Sequence, residues 1–312
     1  MRKTINATHI EGILYEHNLE LRVTGKDSKN PGTEYISGSI SVATDDAMTN
    51  IVTVYFNYVV ATFNSGKTND TYVLLKNIID NVFGTYMKDG QEKAIKVRID
   101  SSIGLNEFYT ERDGKTELVS VKRNDGGFVH RVDIIDSDEK NRNTFKVDIL
   151  ITGVKEVEGD VDKGTQDKVI VKGAIFDYFK NLLPVEFTAI NKGAMDYFLG
   201  LDASQKNPVF TCIWGRQVAE TIVKKITTES AFGEDQVREV KNTRRDFVIT
   251  GAAKEPYMWD DESTITATEL MEAIQKREVD LAAMKKRQDE YKAKKASAIQ
   301  PANAISSDTF NF

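Results

Sequence analysis

A single cysteine, Cys212, occurs in 312 residues. That excludes an intramolecular disulfide and any cysteine-built metal cluster, and it fits a reducing, cytoplasmic compartment. Histidine is nearly as scarce: His9, His17 and His130 are the only three. None has the His-x-x-x-His or Glu-x-x-His spacing that sets two metal ligands on one helix face, so no metal is expected. Long hydrophobic runs are absent. No stretch approaches the ~20 apolar residues of a membrane span, and the opening Met1-Arg-Lys-Thr-Ile-Asn6 lacks the apolar core of a signal peptide. Excess positive charge is missing too. With 42 Lys and Arg against 48 Asp and Glu, the formal charge is -6. This excludes a wholly basic nucleic-acid binder, but not a local basic groove, because affinity depends on charges near the ligand.

What is present is enough apolar material for real cores, at 40% of residues. The mean hydropathy of -0.40 indicates a soluble chain, and the length suits two domains and a tail. The chain is organised around its first β-rich stretch, Thr4 to about Val60. Ile10–His17 and Leu19–Thr24 read as two strands joined by a turn. In Tyr35–Ala43, Ile36, Gly38, Ile40 and Val42 share one face, and Tyr35, Ser37, Ser39 and Ser41 the other. In the strand from Ile51, Val52, Val54, Phe56, Tyr58 and Val60 face one way, and Thr53, Tyr55 and Asn57 the other. Such alternation marks strands that bury one side. Over 69–87 the period becomes helical, through Tyr72, Leu75, Ile78, Ile79, Val82, Phe83 and Tyr86, with Asp70 as the expected N-cap. Strand pattern returns at Ile95–Ile99. A hairpin follows, turning at Asp113-Gly114, a strong turn pair, and Phe128–Ile135 reads as another strand.

The polar run 136–143 reads as a linker. Beyond it lies a second strand-rich unit with Phe145–Ile151, Val169–Phe176, Val185–Ile190, Val209–Trp214 and Phe247–Gly251, and a helix expected near Gln217–Thr227. Its order loosely repeats the first unit. Thr266-Ala-Thr-Glu269 has the capping-box form and opens a long charged helix to about Ala296. Its heptad-like apolar positions are interrupted by Arg277 and Gln288, which favours a solvated helix over a coiled coil. The end, 297–312, reads as disordered. The expected organisation is therefore 1–135, a barrel domain; 136–143, a linker; 144–262, a second strand-rich domain; 263–296, the charged helix; and 297–312, the tail.

The order of motifs in the first unit resembles the single-stranded DNA-binding protein family. Asn6-Ala-Thr-His-Ile-Glu-Gly12 is similar to that family's first strand, Glu20-Leu-Arg-Val-Thr24 to its second and Gly38–Ala43 to its third. Val97-Arg-Ile99 with Glu107-Phe-Tyr109 and Asp113-Gly-Lys115 is similar to its last strand and hairpin. In the second unit, Phe210-Thr-Cys-Ile-Trp-Gly-Arg-Gln-Val-Ala-Glu220 is similar to its fourth strand and the turn after it. The resemblance implies an OB-fold barrel; with the helices read above, the expected fold is mainly β, an OB-fold-like β-barrel with added helices and a long C-terminal helix, and the style of the sequence suggests a bacteriophage member acting in the host cytoplasm. The resemblance also implies a partner-binding tail, represented here by Asp308, Phe310 and Phe312.

Sequence-tolerant binding of single-stranded DNA needs a basic groove for phosphates and exposed aromatics for bases. In an OB barrel the outer face around strands two and three supplies both. Alternation makes the outward candidates Arg22, Tyr35, Tyr55, Lys96, Arg98, Lys122 and Arg123, with Phe108 and Tyr109 in the hairpin. Trp214 is expected to pack in the core, and Lys285, Lys286, Arg287, Lys292, Lys294 and Lys295 to lie on a solvated helix. The expected function is noncatalytic coating of single-stranded DNA in replication or recombination. The expected partners are that DNA and replication or recombination proteins engaged through the tail; a homo-oligomer is left open, and neither a membrane nor a cofactor is expected. Two alternatives stand beside it. One is a phage structural or assembly protein that uses the barrels for protein contacts. The other is a nucleotide-binding enzyme, because Ala61-Thr-Phe-Asn-Ser-Gly-Lys-Thr68 fits a relaxed phosphate-loop pattern between a strand and a helix. Against the enzyme, the surrounding strands read as an antiparallel meander, whereas phosphate loops sit in parallel sheets. Cys212, in an apolar strand, reads as a buried thiol, and Asp133, Asp136 and Asp138 as solvated charges.

Overall fold

The computed structural model describes residues 4–159, 166–228, 236–258 and 265–298, with only the backbone path for 220–228, 236–244 and 295–298. The tail residues Asp308, Phe310 and Phe312 lie outside the described residues. The described chain forms ten strands and four helices. β1 (Asn6–Val23), β2 (Glu34–Ala43), β3 (Ile51–Val60), β4 (Lys96–Arg112) and β5 (Lys115–Val132) close into a ring ordered β1-β2-β3-β5-β4, with β4 returning to β1. All pairs are antiparallel except β3 with β5, which meet in parallel at Val54–Asn124 and Tyr55–Asp125. β6 (Asn143–Val157), β7 (Lys168–Phe176), β8 (Leu182–Ala189), β9 (Val209–Thr228) and β10 (Gln236–Ala252) repeat the scheme, with β8 and β10 as the parallel pair. The fold is mainly β, two OB-fold-like barrels whose first strands, β1 and β6, pair antiparallel from Asn6–Val147 to Ile10–Asn143.

Alternation fills both barrels. Ile10, Leu14, Ile36, Ile40, Val54, Phe56, Val97 and Ile99 bury inside the first. α1 (Asp70–Ile79) closes it with Tyr72, Leu75 and Ile78; a fully buried leucine contributes about 2–3 kcal/mol. Phe145, Val147, Ile149, Phe187 and Ile249 fill the second, closed by Phe198 of α3 (Lys192–Leu199). Between the barrels runs a polar seam. Asn143 Nδ2 donates to the Gln217 carbonyl at 2.6 Å, Asn124 Nδ2 donates to Gln217 Oε1 at 2.7 Å, and the Ala219 amide donates to Asn50 Oδ1 at 2.6 Å. Arg142, at the end of the polar run 136–143, is buried in this region and reaches Asp46 at 2.6 Å.

Several elements differ from the sequence expectation. The two strands expected over 10–24 are one strand, β1, in which a bulge between Leu14 and Glu16 absorbs the irregular pattern. The helix expected over 69–87 stops at Ile79 and resumes as the short α2 (Tyr86–Asp89), because Asn81 takes a left-handed φ of 58°. Asn69, not Asp70, is the N-cap, and its side-chain amide donates to the Val60 carbonyl instead of capping. The helix expected near Gln217–Thr227 is part of β9. Its Val218, Thr221, Ile222, Val223, Ile226 and Thr227 are β-branched, which costs side-chain freedom in a helix and suits a pleated strand. The turn at Asp113-Gly114 forms as the sequence indicates, with φ of 51° and 74° joining β4 to β5. The capping box also forms: the Glu269 amide donates to Thr266 Oγ1 at 3.2 Å, and the Thr266 amide to Glu269 Oε2 at 3.1 Å. It opens α4 (Ala267–Ala298).

Helix α4 is not wholly solvated. Its first turns cover Leu150, Phe176, Leu182 and Phe210. The polar residues that interrupt its heptads are docking residues. Arg277 forks onto Glu107 of β4 at 2.6 and 3.1 Å, and Gln288 Nε2 donates to the Tyr109 carbonyl at 2.7 Å. No helix among the described residues is long and apolar enough to cross a membrane.

Candidate nucleic-acid interface

The outer face of β1, β2 and β3 brings together part of the expected set. Ser37, Ser39 and Ser41 form the floor of this face on β2, with Ser37 and Ser41 buried, and Ser41 Oγ lies 3.2 Å from Thr53 Oγ1 of β3. Tyr35 stands at one end of the floor. Its cross-strand partner on β1 is Arg22, and its ring lies 4.8 Å from that of Tyr58. Tyr55 stands opposite Ser39, and the Arg123 guanidinium from β5 covers its ring at 5.2 Å. Both arginines already hold carboxylates: Arg22 meets Glu20 at 2.6 Å and Arg123 meets Asp125 at 3.0 Å. The hydrogen bond to Glu20 raises the pKa of Arg22. Asn57 bridges the second pair, accepting from Arg123 and donating to Asp125, both at 3.2 Å.

Tyr58 was expected inward with Phe56. It is 48% exposed, because the β2–β3 register shifts between Ile36 and Gly38, pairing Ile36 with Val59 and Gly38 with Phe56. The extra β3 residue turns Tyr58 outward and brings Val59 against the core.

Past Tyr58 the face opens into a cleft of about 630 Å³ between the barrels. The exposed aromatics Phe63, Phe128, Tyr178 and Phe179 line it with Tyr58. Tyr178 and Phe179 come from the β7–β8 turn, pack edge to face, and are 83% and 73% exposed. Asp177 holds that turn by accepting the Asn181 amide at 2.8 Å. None of these five was singled out as a binding residue from sequence. The signal lay in two aromatics set between Asp177 and Asn181, both turn formers.

Other expected residues lie elsewhere. Lys96 and Arg98 stand on β4, which neighbours β1 and β5 but not β2 or β3, so the ring order separates them from the tyrosines. Lys96 Nζ donates to the Asp133 carbonyl at 3.1 Å. Tyr109 packs under α4, with its hydroxyl 3.4 Å from the Leu281 carbonyl, while Phe108 on the adjacent position is exposed. Lys122 is half-buried and turned toward the second barrel. Its ammonium lies 4.5 Å from the Phe187 ring and 4.3 Å from the Phe247 ring of the second barrel and donates to the Glu186 carbonyl. Burial pulls its pKa down to about 8, against the pull of Asp246 and Glu186. It is an inter-barrel contact rather than a phosphate ligand.

The loop 61–68 folds on itself. The amides of Phe63, Gly66 and Asn69 donate to the carbonyls of Lys67, Phe63 and Ala61 at 2.9 Å each. These donors are spent within the loop, whereas a phosphate cradle would aim them together at a ligand. Cys212 is buried, as its apolar strand implies; burial, then Asp148, pushes its thiol up to about 11. Trp214 is not in the core. It is 40% exposed on the outer face of β9.

The structure is similar to that of a deletion mutant of the single-stranded DNA binding protein from Thermus aquaticus, at 10% identity and a TM-score of 0.46, over 84% of this chain and 100% of that chain. No curated protein matches the sequence. The profile of the YorF family matches residues 4–293, and the chain belongs to the YorF family.

Proposed function

We propose that this protein binds single-stranded DNA without catalysis and coats it during replication or recombination. The observation that carries this reading is the lane on β1–β3. Its serine floor runs from Tyr35 and Tyr58 at one end past the Tyr55–Arg123 pair beside Ser39, and the face opens into the aromatic cleft at Tyr58. Ser37 and Ser41 are buried, so the contact surface is made by the tyrosines that flank them. The tyrosine rings supply sequence-tolerant stacking, worth ~1–3 kcal/mol per base. Arg22 and Arg123 supply charge. The Arg22–Glu20 pair is exposed on both sides, and solvent screening makes such pairs weak, so a phosphate can displace the carboxylate.

The test is titration of the full chain with fluorescent poly-dT at low and moderate salt. Tight binding that weakens with salt is expected. Replacing Tyr35 and Tyr55 together by alanine should weaken it at least about 30-fold, from ~1 kcal/mol or more per ring. Absence of binding at low salt would overturn the proposal.

A second reading has one observation in its favour. Because Arg22 and Arg123 are each neutralised by a carboxylate, the aromatic lane also suits protein contact in an assembly. Concentration-dependent self-association with no affinity for DNA would select it.

A further inference from the structure

The first and second barrels share a second outer surface, away from the serine-floored lane, where β4, β1, β6 and β9 run side by side. On it lies a shallow depression of about 680 Å³. Trp214 is its aromatic member. The indole rests on the backbone of Gly251 on β10, so closely that a Cβ there would sit 2.4 Å from Nε1. Glycine at 251 therefore lets the ring settle on the sheet while part of it stays open to solvent.

Cations surround this ring. Lys146 is the cross-strand partner of Trp214, and Arg216 stands two residues further along β9, opposite Thr144. Both are exposed, and Lys140 closes the rim. The one carboxylate lining the depression, Asp100, is engaged by His9 Nδ1 at 2.9 Å. The lining thus has three lysine or arginine side chains against one histidine-paired acid, in a chain whose formal charge is -6. A local excess of cations around a seated, open indole matches a ligand with both a flat π-face and phosphates.

We infer that Trp214, Lys146, Arg216 and Lys140 form a second contact site for single-stranded nucleic acid, separate from the lane on β1–β3. One base stacks on the open face of Trp214, and the adjoining phosphates meet Lys146 and Arg216. The inference rests on the reading that the chain binds single-stranded DNA. It extends the DNA path to the second barrel and makes Trp214 a reporter of occupancy.

The experiment uses the full chain carrying Trp259→Phe, which leaves Trp214 as the only tryptophan. A labelled oligo-dT long enough to cover both barrels is titrated while its anisotropy and the Trp214 fluorescence are read together. Quenching of Trp214 that saturates with the anisotropy is expected. Trp214→Ala should weaken binding about 5- to 100-fold, as loss of one stacked base does. Lys146→Glu combined with Arg216→Glu should remove the quenching and lower the salt dependence, and because both side chains are exposed this variant tests the site even where Trp214→Ala disturbs packing. Binding with Trp214 fluorescence unchanged, and with affinity unaltered in the charge-reversed variant, would overturn this site and leave the lane on β1–β3 standing. No oligo-dT binding at low salt would overturn both.

Discussion

Lys122 is a basic residue on a barrel strand whose contacts hold the two barrels together. Its ammonium is enclosed by Phe187, Phe247 and the Glu186 carbonyl, and its pKa falls from 10.5 to about 8 through burial. That fall corresponds to about 3 kcal/mol against the charged form. The two rings return part of it, ~2 kcal/mol for a desolvated cation. Lys122→Met keeps the length of the side chain and removes the charge, at the cost of one unpaired carbonyl, about 1 kcal/mol. At pH 7 the variant should therefore lie within about 1 kcal/mol of the parent or above it in stability, as replacement of buried charge commonly does. The pH dependence is sharper. The unfolded chain keeps this proton up to about pH 10.4, whereas the fold releases it near 8. Between those values the unfolded state binds more protons, so rising pH stabilises the parent. The advantage of Lys122→Met should accordingly shrink by about 1–3 kcal/mol from pH 8 to 10.5 and stay constant below pH 8. Urea midpoints of both proteins across that range measure it, and the other titrating groups cancel in the difference. Parallel pH profiles, or a loss above about 3 kcal/mol at pH 7 like that of a broken buried pair, would refute the reasoning. The same variant should leave the salt slope of oligo-dT binding unchanged.

Three further outcomes follow from named contacts. Arg277→Ala strands Glu107 in a site where the two side chains are only 17% and 10% exposed. It should cost about 3 kcal/mol of α4 docking, read as faster hydrogen exchange along α4, with a double-mutant cycle to Glu107→Ala showing coupling; additive losses would mean that the pair does not hold the helix. Gly251→Val drives a side chain into the Trp214 indole and should red-shift its emission in the Trp259→Phe background; an unchanged spectrum would show that the ring is not seated there. The Cys212 thiol, raised to about 11 by burial, should resist alkylation at pH 8 in the native protein and react once urea unfolds it. Native reactivity equal to the unfolded rate would contradict its burial.

The residues of the proposed binding face were only partly legible in the sequence. Alternation marked Tyr35 and Tyr55 as outward, and they are on the outer face of the β2–β3 pair. It could not separate Arg98, on β4, from them, since a strand pattern tells which side a residue faces but not which strands become neighbours. Lys122 also alternates outward from its own barrel, yet the second barrel arrives to cover it with Phe187 and Phe247. The aromatic cleft joins residues as far apart in the chain as Tyr58 and Phe179, a proximity that no local pattern carries.

What the sequence determined by itself is what depends on near neighbours. Asp113-Gly114 turns because both residues accept positive φ, and Thr266 with Glu269 caps a helix because three residues span one turn. Period-two runs of Ile, Val and Phe become strands with one buried face. The tertiary structure decided everything that depends on a partner. A β3 bulge shifted the phase of a period-two pattern and turned Tyr58 out, because one added residue inverts each position after it. Ladder hydrogen bonds to β10 made Gln217–Thr227 a strand where helical spacing also fitted. Trp214 lies open on β9 because its indole rests on Gly251, a residue of the neighbouring strand β10.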